Sequence, residues 1–294
     1  MAAPFGHVLT AMITPFDGGG TVDHGRVWEL AKHLVDTGSD GIVVGGTTGE
    51  SPTLSDDEKV ALFRAVVDAV GGRAAVVAGT GTYDTAHSVE LTHAAAEAGC
   101  AGVMAVTPYY NRPPQAGLAA HFAAIADATD LPVMLYNIPS RTGRRIEVDT
   151  LAGLAGHPGI VAVKDAVGDL GFTADTRVAT GPDFAIYSGD DILTLPIMAV
   201  GGDGIVSVAA HVAGLQVKRM VEAMLDGDVA TARSLHLALT PLFRALFLEP
   251  NPIPVKAALT RLWAPVGDPR LPLVAASEAT VAAIERALAA AQQS

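Results

Sequence analysis

Gly159-Ile160-Val161-Ala162-Val163-Lys164-Asp165 reads as a short apolar strand that ends in a lysine. Four apolar residues in a row, two of them valine, show no polar alternation, which is the pattern of a strand buried on both faces of a parallel sheet. The chain has five lysines. Lys32, Lys59 and Lys218 fall in amphipathic helical patterns, and Lys256 follows Pro254 at an expected helix start, where its ammonium is expected to be solvated. Only Lys164 closes an apolar strand. Taken alone it would turn out to solvent or pair with Asp165, and it is the rest of the chain that argues otherwise.

Outward from this stretch, strand-like segments recur at His7 to Ile13, Gly41 to Gly45, Ala74 to Ala78, Gly102 to Val106, Val133 to Asn137, Phe184 to Ser188 and Gly204 to Val208. Helical patterns separate most of them. Asp23 is placed to cap one in which Val27, Leu30, Ala31, Leu34 and Val35 share a face, with Gly38 as its stop. Ser55 and Glu58 have capping-box spacing ahead of Leu62, Phe63, Val66, Val67 and Val70, and Gly71-Gly72 ends that helix. Asp84 opens the next, and Leu118, Phe122, Ile125 and Ala126 mark another. The patterns after Lys164 and after Ser188 are the weakest, the second because Pro196 interrupts it. Eight strands alternating with helices and no linker between two halves predict a (β/α)₈ TIM barrel over residues 1–226, with a doubly wound sheet as the other parallel architecture. Residues 227–294 read as a C-terminal helical extension, broken by Glu249-Pro250-Asn251-Pro252-Ile253-Pro254.

With 294 residues, half of them hydrophobic, the chain can bury a large core. Its single cysteine, Cys100, excludes an internal disulfide and a thiolate metal cluster. The amino terminus lacks the basic and apolar regions of a secretion signal, and no charge-free apolar run approaches the ~18 residues of a membrane span, so a cytoplasmic location is expected. A net charge of −12 with scattered arginines argues against nucleic acid and leaves local donors as the means of holding an anion.

In such a barrel the chemistry lies in the loops after the carboxyl ends of the strands. Those ends are polar here: Gly45-Gly46-Thr47-Thr48-Gly49-Glu50, Thr107-Pro108-Tyr109-Tyr110-Asn111, Tyr136-Asn137-Ile138-Pro139-Ser140-Arg141, Lys164, and Ser188-Gly189-Asp190-Asp191. Each has a plain structural reading: a glycine–threonine turn, a packed tyrosine ring, a surface arginine, a Glu50 that bonds amides of its own loop. Their convergence on the rim that holds Lys164 favours a functional one. A lysine on a desolvated strand has a lowered pKa, and its neutral amine attacks a ketone to give a Schiff base. The iminium acidifies the neighbouring carbon, and hydroxyls of Tyr136, Thr47 and Tyr110 are placed to relay protons. Thr47 and Thr48 are placed to hold one carboxylate and Arg141 a second. No His-x-x-x-His pair, Cys/His cluster or Walker loop is present, so neither metal nor cofactor is expected. Asp190, Asp191 and Asp203 would repel a phosphate after strands seven and eight, which favours a non-phosphorylated 2-oxo acid.

These stretches, together with Leu135 to Gly143 and Glu249-Pro250-Asn251-Pro252-Ile253-Pro254-Val255-Lys256, resemble the 4-hydroxy-tetrahydrodipicolinate synthase family over about the first 260 residues. The resemblance implies that Lys164 forms a Schiff base with pyruvate and that Tyr136 donates and accepts protons. It implies a relay completed by Thr47 and by Tyr110 from a neighbouring subunit. Tyr109 and Tyr110 are adjacent and on an extended backbone point to opposite sides, so one of them is expected to face a partner, in a homotetramer built as a dimer of dimers. Thr48 and the backbone at Val206 would bind pyruvate, and Arg141 would hold L-aspartate 4-semialdehyde on the route to diaminopimelate and lysine. Asp165 stands where many members carry glutamate and Val206 where isoleucine is common. N-acetylneuraminate lyase shares the lysine and tyrosine, but its first loop usually resembles Gly-Ser-Thr-Gly-Glu, and Thr47 and Arg141 favour the synthase. A non-catalytic pyruvate sensor has no missing residue to support it. Where lysine-inhibited members place acceptors for free lysine, this chain has Tyr83, His87, Asp56 and Lys59 beside Ser51 and Tyr109, so weak or absent feedback is expected.

Overall fold

The computed structural model describes residues 3–291; residues 1–2 and 292–294, the outermost parts of the barrel and extension expected above, lie outside the described residues. The chain begins with β1 (Val8–Ala11), α1 (His24–Asp36), β2 (Gly41–Val44), α2 (Asp56–Val70), β3 (Ala75–Gly79) and α3 (Thr85–Glu97). It continues through β4 (Gly102–Val106), α4 (Gln115–Asp127), β5 (Val133–Asn137), the single turn α5 (Pro139–Thr142), α6 (Val148–Ala155) and β6 (Ile160–Asp165). Then come α7 (Leu170–Thr180), β7 (Ala185–Ser188), α8 (Thr194–Ala199), β8 (Gly204–Ser207) and α9 (Ala210–Leu225), followed by α10 (Val229–Ala245), α11 (Ile253–Leu262) and α12 (Glu278–Ala291).

The eight strands pair in sequence order, all parallel, and β8 closes on β1 with Leu9 beside Val206. This is the TIM barrel expected, not the open doubly wound sheet. Closure leaves no strand edge, and a short strand hydrogen-bonded on both sides and covered on both faces is mostly apolar, with its polar residues mainly at the carboxyl end. Alternation then sorts the residues. Val43, Val77, Met104, Met134, Ala162, Tyr187 and Val206 point into the barrel, while Ile42, Val44, Val76, Val103, Leu135, Val163 and Ile205 point out to the helices. The helices return the matching stripe, as with Val27, Leu30, Ala31 and Leu34 of α1. Full burial of each valine, leucine, isoleucine or methionine among these stabilises by roughly 1.5–3 kcal/mol.

Local signals set the helix ends. Asp23 accepts the Arg26 amide, Ser55 and Glu58 form the full capping box, Gly71 takes the left-handed conformation at the end of α2, and Asp84 accepts the His87 amide. The weak pattern after Ser188 corresponds to a 3₁₀ turn, Asp191–Leu193, that runs into the six-residue α8. Beyond α9, α10 packs on α9 and α12, and α11 lies against α9 and α12. No described helix is long and apolar enough to cross a membrane.

Candidate active site

β6 carries one residue more than its neighbour expects: Val133 pairs with Ile160, but Met134 pairs with Ala162. Ile160 faces the helices, and strict alternation from it would send Lys164 outward too. The extra residue shifts the parity, so Ala162 and Lys164 face the barrel interior. Lys164 is thereby buried, at 4% exposure.

Burial pushes its pKa down to about 8; the Asp191 carboxylate works against that shift and the Arg141 guanidinium with it. From 10.5, a fall of that size gives about 300-fold more free amine at neutral pH. Asp165 is not its partner. One Asp165 oxygen accepts from the Thr173 hydroxyl at 2.6 Å and the other from the Val167 amide at 3.0 Å. Asp191, itself pushed up to about 6 by burial, accepts from Ser207 Oγ at 2.5 Å and from the amides of Val208 and Ala209 at 3.0 and 3.2 Å, tying the ends of β7 and β8 together. Gly189 must lack a side chain, since a Cβ there would stand 2.8 Å from Ala166 Cβ and 3.2 Å from Lys164 Cε.

Tyr136 of β5 is the register partner of Lys164, and the lysine nitrogen lies 4.2 Å from its ring centroid. Burial raises the phenol to about 12, with the Arg141 charge and the Thr47 hydroxyl opposing that rise. A protonated phenol beside a largely deprotonatable amine is a matched donor and acceptor pair. Above them is a cavity lined by Gly45, Gly46, Thr47, Met104, Tyr109, Tyr136 and Arg141. Gly45 adopts φ 68°, which lets β2 turn straight into this wall. Thr48 is buried beside it, and Val206 lies in the barrel wall.

The Dihydrodipicolinate synthetase family model matches residues 4–291. A 4-hydroxy-tetrahydrodipicolinate synthase of Moorella thermoacetica is 58% identical over 274 residues, covering 93% of this chain and 94% of that one. The enzyme of the same name from Heliobacterium modesticaldum is 55% identical over 282 residues, covering 96% and 94%. A crystal structure of DHDPS from Cyanidioschyzon merolae with lysine bound superposes with a TM-score of 0.97 at 48% identity, covering 99% of each chain. The chain belongs to the dihydrodipicolinate synthetase family.

Not every residue expected in this family site converges within one chain. Tyr110 stands 92% exposed in the left-handed region, φ 68°, outside its own cavity; its neighbour Tyr109 lines that cavity and meets Tyr83 edge-on at 5.3 Å. Three expectations are corrected. Lys256 is not solvated but 2% exposed, because the first turn of α11 is packed against the loop after β2. Its Nζ lies 2.6 Å from Glu50 Oε1 and 4.0 Å from the Phe16 ring centroid. Glu50 therefore serves the C-terminal segment rather than its own loop, and its other oxygen accepts the Arg270 amide at 2.8 Å. Asp203 precedes β8 and so lies at the opposite end of the barrel, where it binds Arg177 at 2.5 Å and the Ile186 amide at 2.8 Å. Sequence reasoning also passed over Asn251, whose Nδ2 donates to Thr48 Oγ1 at 2.8 Å. Its one visible signal was a polar residue between two prolines in an otherwise apolar run.

Proposed function

We propose that this protein condenses pyruvate with L-aspartate 4-semialdehyde to give 4-hydroxy-tetrahydrodipicolinate, acting through a Schiff base on Lys164. The observation that carries this reading is the inward, desolvated Lys164 packed on Tyr136 at the cavity that holds Thr47 and Arg141. The neutral amine adds to the ketone carbon of pyruvate, and loss of water leaves an iminium. Tyr136, with Thr47 behind it, supplies the proton that the departing hydroxyl needs and takes protons back in the later steps. The iminium draws electrons from the methyl carbon, which loses a proton to become an enamine. That carbon attacks the aldehyde, the aldehyde oxygen gains the proton, and a carbon–carbon bond forms. The amine of the second substrate then adds to the iminium carbon, closes a six-membered ring and expels the Lys164 amine, so no oxidant or external cofactor enters the balance.

Thr48 and the backbone at Val206 hold the pyruvate carboxylate in this reading, and Arg141 holds that of the semialdehyde. Tyr110 completes the relay of a neighbouring subunit in a homotetramer. Its exposure and left-handed backbone support that role, since a bulky residue at positive φ needs an external reason.

The test is reduction with borohydride in the presence of pyruvate, peptide mapping, and a condensation assay run beside N-acetylneuraminate cleavage. Adduct on Lys164, its loss in Lys164→Arg, and turnover only with the semialdehyde are expected. An adduct on Lys256 or Lys59, or cleavage of the sialic acid instead, overturns the reading. Full activity of a monomer in sedimentation-coupled assays overturns the tetramer.

A further inference from the structure

Thr48 and Asn251 are 203 residues apart and both buried, and Asn251 Nδ2 donates to Thr48 Oγ1. A threonine hydroxyl has one proton and two lone pairs. The amide takes up a lone pair, and among the described residues Thr48 Oγ1 makes no other hydrogen bond, so its proton is left without an acceptor. The Asn251 carbonyl oxygen meanwhile accepts from Arg141 Nη2 at 3.3 Å. One residue of the C-terminal segment thus touches both side chains assigned to the two substrate carboxylates. Five positions on, Lys256 pairs with Glu50, and Thr14 Oγ1 donates to the Gly49 carbonyl at 2.7 Å, so the stretch Thr48-Gly49-Glu50 is fastened at every residue.

We propose that Asn251 is a positioning residue for the 2-oxo acid: its amide fixes Thr48 as a hydrogen-bond donor toward the substrate carboxylate, and its backbone carbonyl holds Arg141 on the same rim. The inference rests on the reading of the site given above. A donor placed against a buried hydroxyl is a device for anion binding, because an acceptor in the same place would draw the Thr48 proton away from the ligand. The unpartnered Asn251 Oδ1 fits this priority: the amide orientation that serves Thr48 leaves its own buried oxygen unsatisfied.

The experiment measures the pyruvate concentration giving half-maximal borohydride trapping at Lys164, together with kcat, KM and Tm, in full-length protein. Asn251→Ala should raise the half-trapping concentration about tenfold, the scale of one hydrogen bond to a charged group, with a smaller change in kcat at saturating pyruvate. Asn251→Asp keeps the shape, replaces the donor with an acceptor and adds a negative charge, so it should raise it further, by about 100-fold, with the measured Tm showing that the protein is folded at the assay temperature. In a Thr48→Val background the Asn251→Ala effect should disappear. Equal behaviour of Asn251→Ala and Asn251→Asp, an unchanged half-trapping concentration, or additivity with Thr48→Val each overturns the proposal. Should Asn251→Ala fail to fold, the isosteric Asn251→Asp and the Thr48→Val pair still decide it. Absence of trapping in the wild-type protein would instead overturn the Schiff-base reading itself.

Discussion

Lys164 and Tyr136 are register partners on adjacent strands, and the amine rests 4.2 Å from the centre of the phenol ring. The contact has two separable parts, a ring that packs and a hydroxyl that moves protons. Tyr136→Phe keeps the first and deletes the second. Turnover should fall by about 10²–10⁴-fold, the usual worth of a positioned acid–base group, while pyruvate is still trapped on Lys164 and Tm moves little. Wild-type kcat in this variant would remove Tyr136 from the mechanism.

The rate of imine formation should follow the free amine of Lys164. Because burial lowers that pKa to about 8, the rate should climb about tenfold per pH unit below 8 and level off above it. Timed incubation with limiting pyruvate, quenched into borohydride at one fixed pH, gives the profile. A rate still rising as pH approaches 10 would mean that the strand does not desolvate the lysine.

Breaking the Glu50–Lys256 pair should cost more than its surface counterparts. Lys256→Met leaves a carboxylate buried at 1% side-chain exposure without its cation, which destabilises by about 3–5 kcal/mol. Arg73→Met, which breaks an exposed pair with Asp36, should leave the midpoint almost unmoved, because solvent screens that pair. In urea denaturation, the double variant Glu50→Gln, Lys256→Met should recover much of the first loss. Equal midpoints for Lys256→Met and Arg73→Met would contradict this account.

Free L-lysine should inhibit weakly or not at all. Asp56 is engaged by His87 Nε2 at 2.8 Å and by Lys59 Nζ at 3.3 Å, so it offers little net charge to a ligand bearing two ammonium groups. Titration of the condensation assay checks this. Inhibition by sub-millimolar lysine, competitive with neither substrate, would show that the pocket is competent.

The barrel was legible because its strands are apolar runs and its helix ends carry local chemistry: Asp23, the Ser55 and Glu58 box, Gly71. Lys164 stood out for the same reason, as a charge where periodicity allows none. What stayed hidden depends on parity and on distance. The extra residue in β6 leaves no mark in Ile160-Val161-Ala162, three small or branched apolar residues that suit either face. Lys256 looked solvated because its partner, Glu50, is supplied by a loop from the other end of the chain, and Asn251 was read as part of a proline-rich break because nothing near it in sequence needs its amide. Asp203 was assigned to the wrong end of the barrel because it was counted with the acidic residues after β7, whereas it precedes β8.

The bond between Thr48 and Asn251 also has a bearing on time. Ribosomes make the chain from the amino end, so the loop after β2 emerges long before the segment that fastens it, and all eight strands are made before Asn251. All eight strands precede it in the sequence, yet the carboxylate-binding corner waits on a residue in roughly the last seventh of the 294 residues. Premature release before Asn251 would yield a chain that has every catalytic side chain of the single-subunit site and lacks the clasp that aligns them. On the proposal made for Asn251, alignment of this corner follows only once the segment that carries it has been made.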